Sequence, residues 1–355
     1  MTDVNTIRMF WHGEPPGLWE QLSIRSFLAQ GHRVEVHAYT DMPLPAGAVL
    51  VDAAQTLPAS QVFTYARGRG KGSFAAFANQ FRYKLLHERG GTWSDCDMLC
   101  LRPFNDLPPA CVGREDPEAV NNGLMRFPAG HPLTAALYEQ AAHMGSNILW
   151  GEAGPKLLTR LLASHPDVVV LPANAFYPVY WQEAWRLLKP DRRDECAKLT
   201  AGSHAVHWWN EMQRRLGVPK DRLPPADSWL GQQATRLLGA VPHWSDAQID
   251  QWIDGYNARQ LSKPLQRFLA GEQPLAHCLV ACARVSNSSN KPDKAIELLQ
   301  AAHRLWPEDP AASLGLAATL LQLGRHAEAG PYLQAALADP RTREHAQKLQ
   351  AGRLS

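Results

Sequence analysis

The sequence predicts an α/β domain built on a mixed sheet flanked by helices, followed by an all-α region of helical hairpins. Three observations carry that expectation. Short apolar runs of strand character alternate with amphipathic helical stretches through the first half of the chain. From about Gly255 the sequence turns Ala- and Leu-rich, and one segment returns at a spacing of 34 residues. The 355 residues are 45% hydrophobic, enough for two domains with buried cores and too apolar for a disordered chain. The expected division is residues 1–250 for the α/β domain and 255–345 for the repeats.

The elements follow in order. Ile7 to Trp11 reads as a short buried strand, and Pro15-Pro16-Gly17 ends it. Leu18, Leu22, Ile24, Phe27 and Leu28 recur at helical spacing, with Gly31 where such a helix stops. Arg33 to Tyr39 alternates Val34, Val36 and Ala38 with polar residues, a strand signal, and Val49 to Ala53 is a further short strand. Phe74 to Arg89 is an amphipathic helix with Phe77, Phe81, Leu85 and Leu86 on one side. Gly90-Gly91 closes it, and Thr92 to Leu101 runs on as a strand interrupted by two acids. Leu124 to Phe127 and Val168 to Leu171 read as strands, Pro132 to Met144 and Pro155 to Ala163 as helices, and Ala205 to Trp209 as a short apolar run.

In the C-terminal part, Leu298-Leu299-Gln300-Ala301-Ala302 returns as Tyr332-Leu333-Gln334-Ala335-Ala336. Ala283 maps onto Ala317, Ala295 onto Ala329, and the turn residue Asn290 onto Gly324. A period of 34 residues is that of the tetratricopeptide helix–turn–helix. Two units are visible, roughly 273–306 and 307–340, and an ordinary pair of helical hairpins is the plainer alternative.

Composition removes several function classes. A net charge of +2 fits neither a strongly basic nucleic-acid binder nor an acidic tail. The six cysteines (96, 100, 111, 196, 278 and 282) form no Cys-x-x-Cys pair, so a reduced setting is expected over a disulfide framework or zinc site. No stretch approaches the ~18 apolar residues of a membrane span, and no secretory signal precedes the first strand. A cytoplasmic protein, peripheral at the inner membrane face if at a membrane at all, is therefore expected. Gly68-Arg69-Gly70-Lys71-Gly72-Ser73 is not a Walker A loop. Tyr65 stands where the first glycine belongs and Gly72 follows the lysine, so it reads as a flexible basic loop beside phosphate.

The chemistry concentrates in Gly90-Gly91-Thr92-Trp93-Ser94-Asp95-Cys96-Asp97. Residues two apart in an extended strand project to one side, which would bring the two carboxylates together. Adjacent carboxylates repel unless a cation lies between them or one is protonated. Mg²⁺ or Mn²⁺ takes carboxylate and phosphate oxygens together, so the pair suits a metal–diphosphate complex, while a solvated turn is the bland reading. Upstream, Asn79 and Arg82 share a helix face, and Arg82 offers a fixed fork of donors to hydroxyl or phosphate oxygens. Asp-x-Asp also serves phosphatases of the haloacid-dehalogenase type, but there it follows the first strand, which here ends in Trp11-His12-Gly13.

Phe74 to Phe104 resembles the sugar-binding, DXD-containing region of family 32 glycosyltransferases, a group that includes α-1,4-galactosyl- and N-acetylglucosaminyltransferases and is related to the clostridial glucosylating toxins. Arg82, Leu85, Gly90, Gly91, Trp93, Asp95 and Asp97 match the family pattern in order, while Ala78-Asn79 replaces its Ser-Asp and so removes a carboxylate at position 79. Trp11-His12-Gly13 resembles the family's Trp-x-Gly, whose indole stacks on the nucleobase, although Trp11 also fits a core. Asn121-Asn122-Gly123 with His131-Pro132, Gly154-Pro155, and Ala205 to Asn210 extend the resemblance over roughly residues 7–215. It implies a GT-A fold with a nucleotide-binding sheet. The implied catalytic residues are Asp95, Asp97 and Arg82. The implied contacts to the sugar donor are Trp11, His12, Gly13, Asn79, Arg82, Gly91, Trp93, Asp95, Asn122 and Trp208. The implied ligands of Mn²⁺ or Mg²⁺ are Asp97, Asp95 and His207. Asp97 is the firmer of the two acids. Asp95 touches the ion directly, through water, or touches the ribose. His207 is a ligand, a diphosphate contact or a core histidine.

The resemblance thus implies a metal-dependent hexosyltransferase acting with retention. A nucleotide-sugar, expected to be a UDP-sugar, would supply a glycan, lipid-linked or protein acceptor, with the departing phosphate oxygen able to take the acceptor's proton. The competing reading is a protein-binding module, in which the helical repeats capture a partner and the transferase-like domain is inactive.

Overall fold

The computed structural model describes residues 4–288 and 291–350. The chain divides into two compact units, Met1–Arg214 with Pro219–Asp246 and Arg215–Val218 with Ala247–Ser355.

The first unit is a seven-stranded mixed sheet. Its strands are β1 (Ile7–Phe10), β2 (Val34–Ala38), β3 (Ala48–Asp52), β4 (Gly91–Ser94), β6 (Cys111–Arg114), β7 (Val120–Phe127) and β8 (Val169–Leu171), in the order β3-β2-β1-β4-β7-β6-β8. Only β7 runs against the others. Helices α1 (Leu18–Ala29), α2 (Ala75–Arg89), α3 (Pro132–Met144) and α4 (Pro155–Leu162) cover it. Every β1 residue is buried, and the strand's alternation sends its side chains to two cores. Ile7 and Met9 join Ile24 and Phe27 of α1, whereas Phe10 joins Phe77 and Phe81 of α2. β7 divides likewise, with Leu124 on the first face and Met125 and Phe127 on the second. Each fully buried apolar side chain of this kind contributes roughly 1.5–3 kcal/mol.

The interrupted strand expected at Thr92 to Leu101 is two strands in two sheets. β4 belongs to the large sheet, while β5 (Met98–Cys100) pairs antiparallel with β9 (Ala205–His207). Asp95 and Asp97 occupy the turn between them, so they do not share a strand face as the extended reading supposed. Gly90 and Gly91 make the preceding helix-to-strand turn with φ of +62° and +108°. A Cβ on Gly91 would meet Arg8 Nε at 2.8 Å and Thr6 O at 3.0 Å, and one on Gly90 would meet Ala129 N at 2.5 Å.

Helices α5 (Arg193–Thr200), α6 (Asn210–Leu216) and α7 (Trp229–Leu238) follow. Next comes α8 (Asp246–Leu269), which contains residues 250–255, so the change in composition there marks no linker. The second unit continues with α9 (Leu275–Ser288), α10 (Pro292–Leu305), α11 (Pro310–Gln322), α12 (His326–Ala338) and α13 (Arg343–Gln350). Ala283, Ala295, Ala317 and Ala329, the positions matched by the 34-residue offset, are all buried where helices approach. Gly315 is tight for the same reason, since a Cβ there would meet Leu299 Cδ2 at 2.6 Å. Gly324, with φ +70°, turns the chain between α11 and α12, and its counterpart Asn290 lies outside the described residues.

Candidate functional site

The carboxyl ends of the parallel strands share one edge of the sheet, and β7 begins there. Along that edge stand Trp11 after β1, Asp95 after β4, Asn121 and Asn122 at the start of β7, and Glu115 after β6. Connections leave β1 and β4 in opposite directions, and such a switch point opens a crevice at the strand ends.

Asp95 is held from three directions. Its N–H donates to Gly123 O at 2.7 Å, extending the β4–β7 ladder by one residue. Its Oδ1 accepts from the Trp93 indole at 2.8 Å and faces Arg82 Nη2 at 2.9 Å. The buried Arg82 guanidinium lies 4.8 Å over the Trp93 ring and also donates to the backbone oxygens of Ala78 and Asn122. Arg82 is thus first of all the residue that fixes Asp95, and the other carboxylate oxygen, Oδ2, stays free of these donors. Oδ2 would lie 3.2 Å from a Cβ on Gly123, so only glycine fits that strand position without a shift.

Asp97 and His207 come together through β5 and β9. That register pairs Met98 with His207, and Trp208 N donates to Asp97 O at 3.1 Å. His207 Nε2 lies 2.9 Å from Asp97 Oδ1, and Asn210 N donates to Oδ2 at 2.8 Å. Burial opposes ionisation of Asp97, but the His207 charge and these hydrogen bonds outweigh it and hold the carboxyl below its ordinary range. Burial raises Asp95 above its ordinary range, opposed first by the Arg82 charge, then reinforced by the Asp97 charge and relieved in part by His207 and the Trp93 hydrogen bond. His207 is raised despite its burial because Asp97, Asp95 and Glu115 surround it.

Ligand atoms of Asp95, Asp97 and His207 lie within 4.8 Å of one another. His207 Nδ1 is buried without a hydrogen-bond partner among the described residues. Two hard carboxylate oxygens and one nitrogen of the His207 imidazole fit a Mn²⁺ or Mg²⁺ ion.

Beside this cluster is a cavity of about 550 Å³, within the usual range for small-molecule sites. Trp11, His12, Phe74 and Trp150 give it aromatic walls, and Arg69, Lys71 and Arg214 give it positive charge. The acids do not line it but adjoin it. Cys96, between them, places its thiol 3.7 Å from Phe10 O, and Asn210, on Asp97, precedes the lining residue Glu211. The basic loop expected to be flexible is pinned. Tyr65 exchanges backbone hydrogen bonds with Gly72 and Ser73, and a Cβ on Gly70 would strike Trp150 at 2.7 Å and Tyr65 at 2.9 Å.

Of the expected contacts to the sugar donor, Trp11 and His12 line the cavity, and Gly13 follows as an exposed turn glycine. Asn79 accepts from Asn122 Nδ2 at 2.8 Å, and both amides abut Gly154, where a Cβ would come within 3.2–3.4 Å of them. Trp93 is buried, and its indole N–H is donated to Asp95. Two expectations change. Gly91 stands at the other end of β4 from Asp95, ~13 Å away at the usual rise, and its missing Cβ makes room for Arg8. Trp208 is fully buried, 6.1 Å from Trp19, with its N–H donated to Asn210, so it offers no face to a ligand. Sequence reasoning missed Glu115 and Tyr177. Glu115 Oε2 accepts from Asn121 Nδ2 at 2.7 Å, and the Tyr177 hydroxyl accepts from Leu124 N at 3.0 Å. The signal available was an acid six residues before the already noted Asn121-Asn122-Gly123.

Residues 51–112 match the glycosyltransferase sugar-binding region containing the DXD motif, and 126–223 match the alpha 1,4-glycosyltransferase conserved region. Residues 287–352 match the tetratricopeptide repeat. Lactosylceramide 4-alpha-galactosyltransferase of Pan troglodytes is 27% identical over 142 residues, 37% of this chain and 40% of the relative. Alpha-1,4-N-acetylglucosaminyltransferase of Homo sapiens is 22% identical over 147 residues, 38% of this chain and 42% of the relative. Inositol phosphoceramide mannosyltransferase 3 of Schizosaccharomyces pombe is 25% identical over 170 residues, 47% of this chain and 42% of the relative. The chain thus spans about 40% of the length of these relatives. The solved PaToxG glycosyltransferase aligns with a TM-score of 0.35 and 15% identity, covering 66% of this chain and 86% of that one, too loosely to carry an argument. No helix among the described residues is long and apolar enough to cross a membrane.

Proposed function

The chain carries the DXD sugar-binding region and the alpha 1,4-glycosyltransferase conserved region, and on that premise we propose that it moves a hexose from a nucleoside diphosphate sugar to a hydroxyl acceptor. The observation that carries the reading is the convergence of Asp95, Asp97 and His207 beside an aromatic, basic cavity. Aromatic faces suit a nucleobase, and Arg69, Lys71 and Arg214 suit the diphosphate. A Mn²⁺ or Mg²⁺ ion held by Asp97, Asp95 and His207 would offset the charge that gathers on the leaving diphosphate. Arg82 and Trp93 keep Asp95 in place, and Asn79 with Asn122 offers amides to sugar hydroxyls.

We take the sugar donor to be a UDP-sugar and the acceptor a glycan, a lipid-linked glycan or a protein. Retention of configuration rests on the family resemblance alone. The C-terminal repeats are assigned to a protein partner. The six free thiols favour a reducing compartment, so we place the protein in the cytoplasm, at the inner membrane face when its acceptor is lipid-linked.

The test is hydrolysis and binding of UDP-galactose, UDP-glucose, UDP-N-acetylglucosamine and GDP-mannose with Mn²⁺, with Mg²⁺ and with EDTA. Cation-dependent release of the nucleotide from at least one of them is expected. No turnover and no binding of any of them, together with capture of a protein by the repeats, would instead establish the binding-module reading.

A further inference from the structure

Three large apolar side chains stand exposed together at the edge of the cavity. Phe74 and Trp150, 38% and 37% exposed, belong to its wall, and Leu149, 43% exposed, adjoins Trp150 in the chain. Exposed apolar side chains gathered in this way mark an interaction surface more often than ones scattered singly. The turn that carries Leu149 is closed on itself. Its N–H donates to Glu152 Oε2 at 2.8 Å, and Glu152 N donates to Leu149 O at 3.2 Å. Trp150 is set by stacking on Tyr65, with ring centroids 5.5 Å apart. Backbone and ring contacts thus hold both side chains where they project.

Cations surround these tips. Arg67 Nε donates to Asn147 O at 3.2 Å, and a Cβ on Gly68 would lie 3.2 Å from Leu149 Cδ2, so the basic loop and the Leu149 turn touch. Beside the turn is a groove of about 340 Å³, with Met144, Ile148 and Leu157 as its apolar lining and Lys156 and Arg160 of α4 as its cations. Arg67, Lys156 and Arg160 are exposed, and among the described residues none of them pairs with a carboxylate. Glu152, the acid of the groove, already has its Oε2 on Leu149 N. Arg69 and Lys71 face the cavity and add to the same positive field.

We propose that this face docks on a bilayer surface that contains anionic phospholipid. An indole is at home where hydrocarbon meets headgroups, and a leucine beside it adds apolar area to the contact. Each Lys or Arg near anionic headgroups strengthens binding about fivefold. Unpaired cations in an arc around projecting apolar tips suit a fluid, negatively charged surface, because lipids rearrange to meet charges that no fixed partner could match one by one. Phe74 and Trp150 belong both to this face and to the cavity wall, so docking brings the cavity mouth to the headgroups, where the hydroxyl of a lipid-linked acceptor would stand. That consequence rests on the transferase reading, and the docking itself does not.

The test is sedimentation of the full-length chain with vesicles of phosphatidylcholine alone and of phosphatidylcholine with about 30% phosphatidylglycerol. Binding to the anionic vesicles alone is expected, falling steeply between about 0.1 and 0.5 M salt as screening shortens the reach of the charges. The double variant Arg67→Gln/Lys156→Gln lowers the partition constant about 25-fold. Leu149→Ser lowers it with the salt dependence unchanged, because the leucine contributes apolar area and no charge. None of the three residues lines the cavity, so the thermal midpoint and the affinity for UDP stay at wild-type values in each variant. Equal binding to both kinds of vesicle, binding to neither, or undiminished binding by the double variant overturns the proposal. Capture of oligoglutamate by the wild type and not by the double variant, with no vesicle binding, gives the face to an acidic protein instead. Vesicle binding by a chain that neither binds nor hydrolyses any UDP-sugar supports the docking face and removes the transferase reading.

Discussion

Replacing Asp97 by asparagine removes one charge and leaves the shape of the side chain. The wild-type carboxylate faces His207 at 2.9 Å and the Asn210 N–H at 2.8 Å. An amide has one acceptor oxygen, so one of those contacts must turn to the NH₂ group. A charged hydrogen bond of this sort contributes about 1.5–3 kcal/mol. Against that stands relief of repulsion between carboxylates whose ligand atoms lie within 4.8 Å, about 3 kcal/mol at an effective dielectric of 20. The two nearly cancel, so folding stability in the absence of metal should change by no more than about 1–2 kcal/mol. Catalysis has no such offset. A bound divalent ion is worth several kcal/mol in transition-state charge stabilisation, and losing about 4 kcal/mol of it with the ligand corresponds to roughly 10³ in rate. The assay is Mn²⁺-dependent UDP-sugar hydrolysis beside a Mn²⁺ titration and a urea melt with EDTA. Hydrolysis within tenfold of wild type at saturating Mn²⁺ would refute the assignment of Asp97 as a ligand.

Two further predictions concern neighbours of the site. Gly123→Ala places a methyl group 2.9 Å from Asn121 Oδ1, which accepts from Gly123 N, and 3.2 Å from Asp95 Oδ2, whose carboxylate is fixed through Oδ1 by Trp93 and Arg82. Turnover should fall about ten- to a hundredfold with Mn²⁺ affinity also weakened, and unchanged kinetics would show that the strand absorbs the methyl. Fully buried His37, depressed to about 3 by burial and then by Arg8 and Arg89, stays neutral in the folded protein. The unfolded chain binds a proton below about pH 6.5 and the folded one does not, so stability is complete above that pH and is lost as pH falls towards about 3. Between pH 6.5 and 5.0 this amounts to about 2 kcal/mol. Urea melts of His37→Phe should lack that increment, and an identical pH dependence in the variant would locate the acid lability elsewhere.

The sequence made legible what local pattern controls. Arg82, Trp93, Asp95 and Asp97 are close in the chain, and α2 followed by β4 brings them together by short-range geometry. The 34-residue offset marked buried alanines because helix packing repeats with the chain. Long-range pairing was not legible. His207 reaches Asp97 through a two-stranded sheet of three-residue strands, too short to show a period. Trp208 and Gly91 matched a motif whose positions serve packing in this fold as well as binding. Glu115 escaped notice because Cys111–Arg114 is four residues long and becomes a strand only by pairing with β7 and β8.

Cys96 stands between the two acids, yet its sulfur points at the Phe10 carbonyl, and burial with the nearby charges of Glu20, Asp95 and Asp97 keeps the thiol protonated. A cation entering the turn therefore meets oxygen and imidazole and no thiolate. Thiophilic ions such as zinc and cadmium gain nothing from the cysteine nearest to them, while manganese and magnesium, which prefer oxygen, forfeit nothing. In the proposed metal site, the sulfur turned to Phe10 leaves the choice of ion to carboxylate oxygens and imidazole.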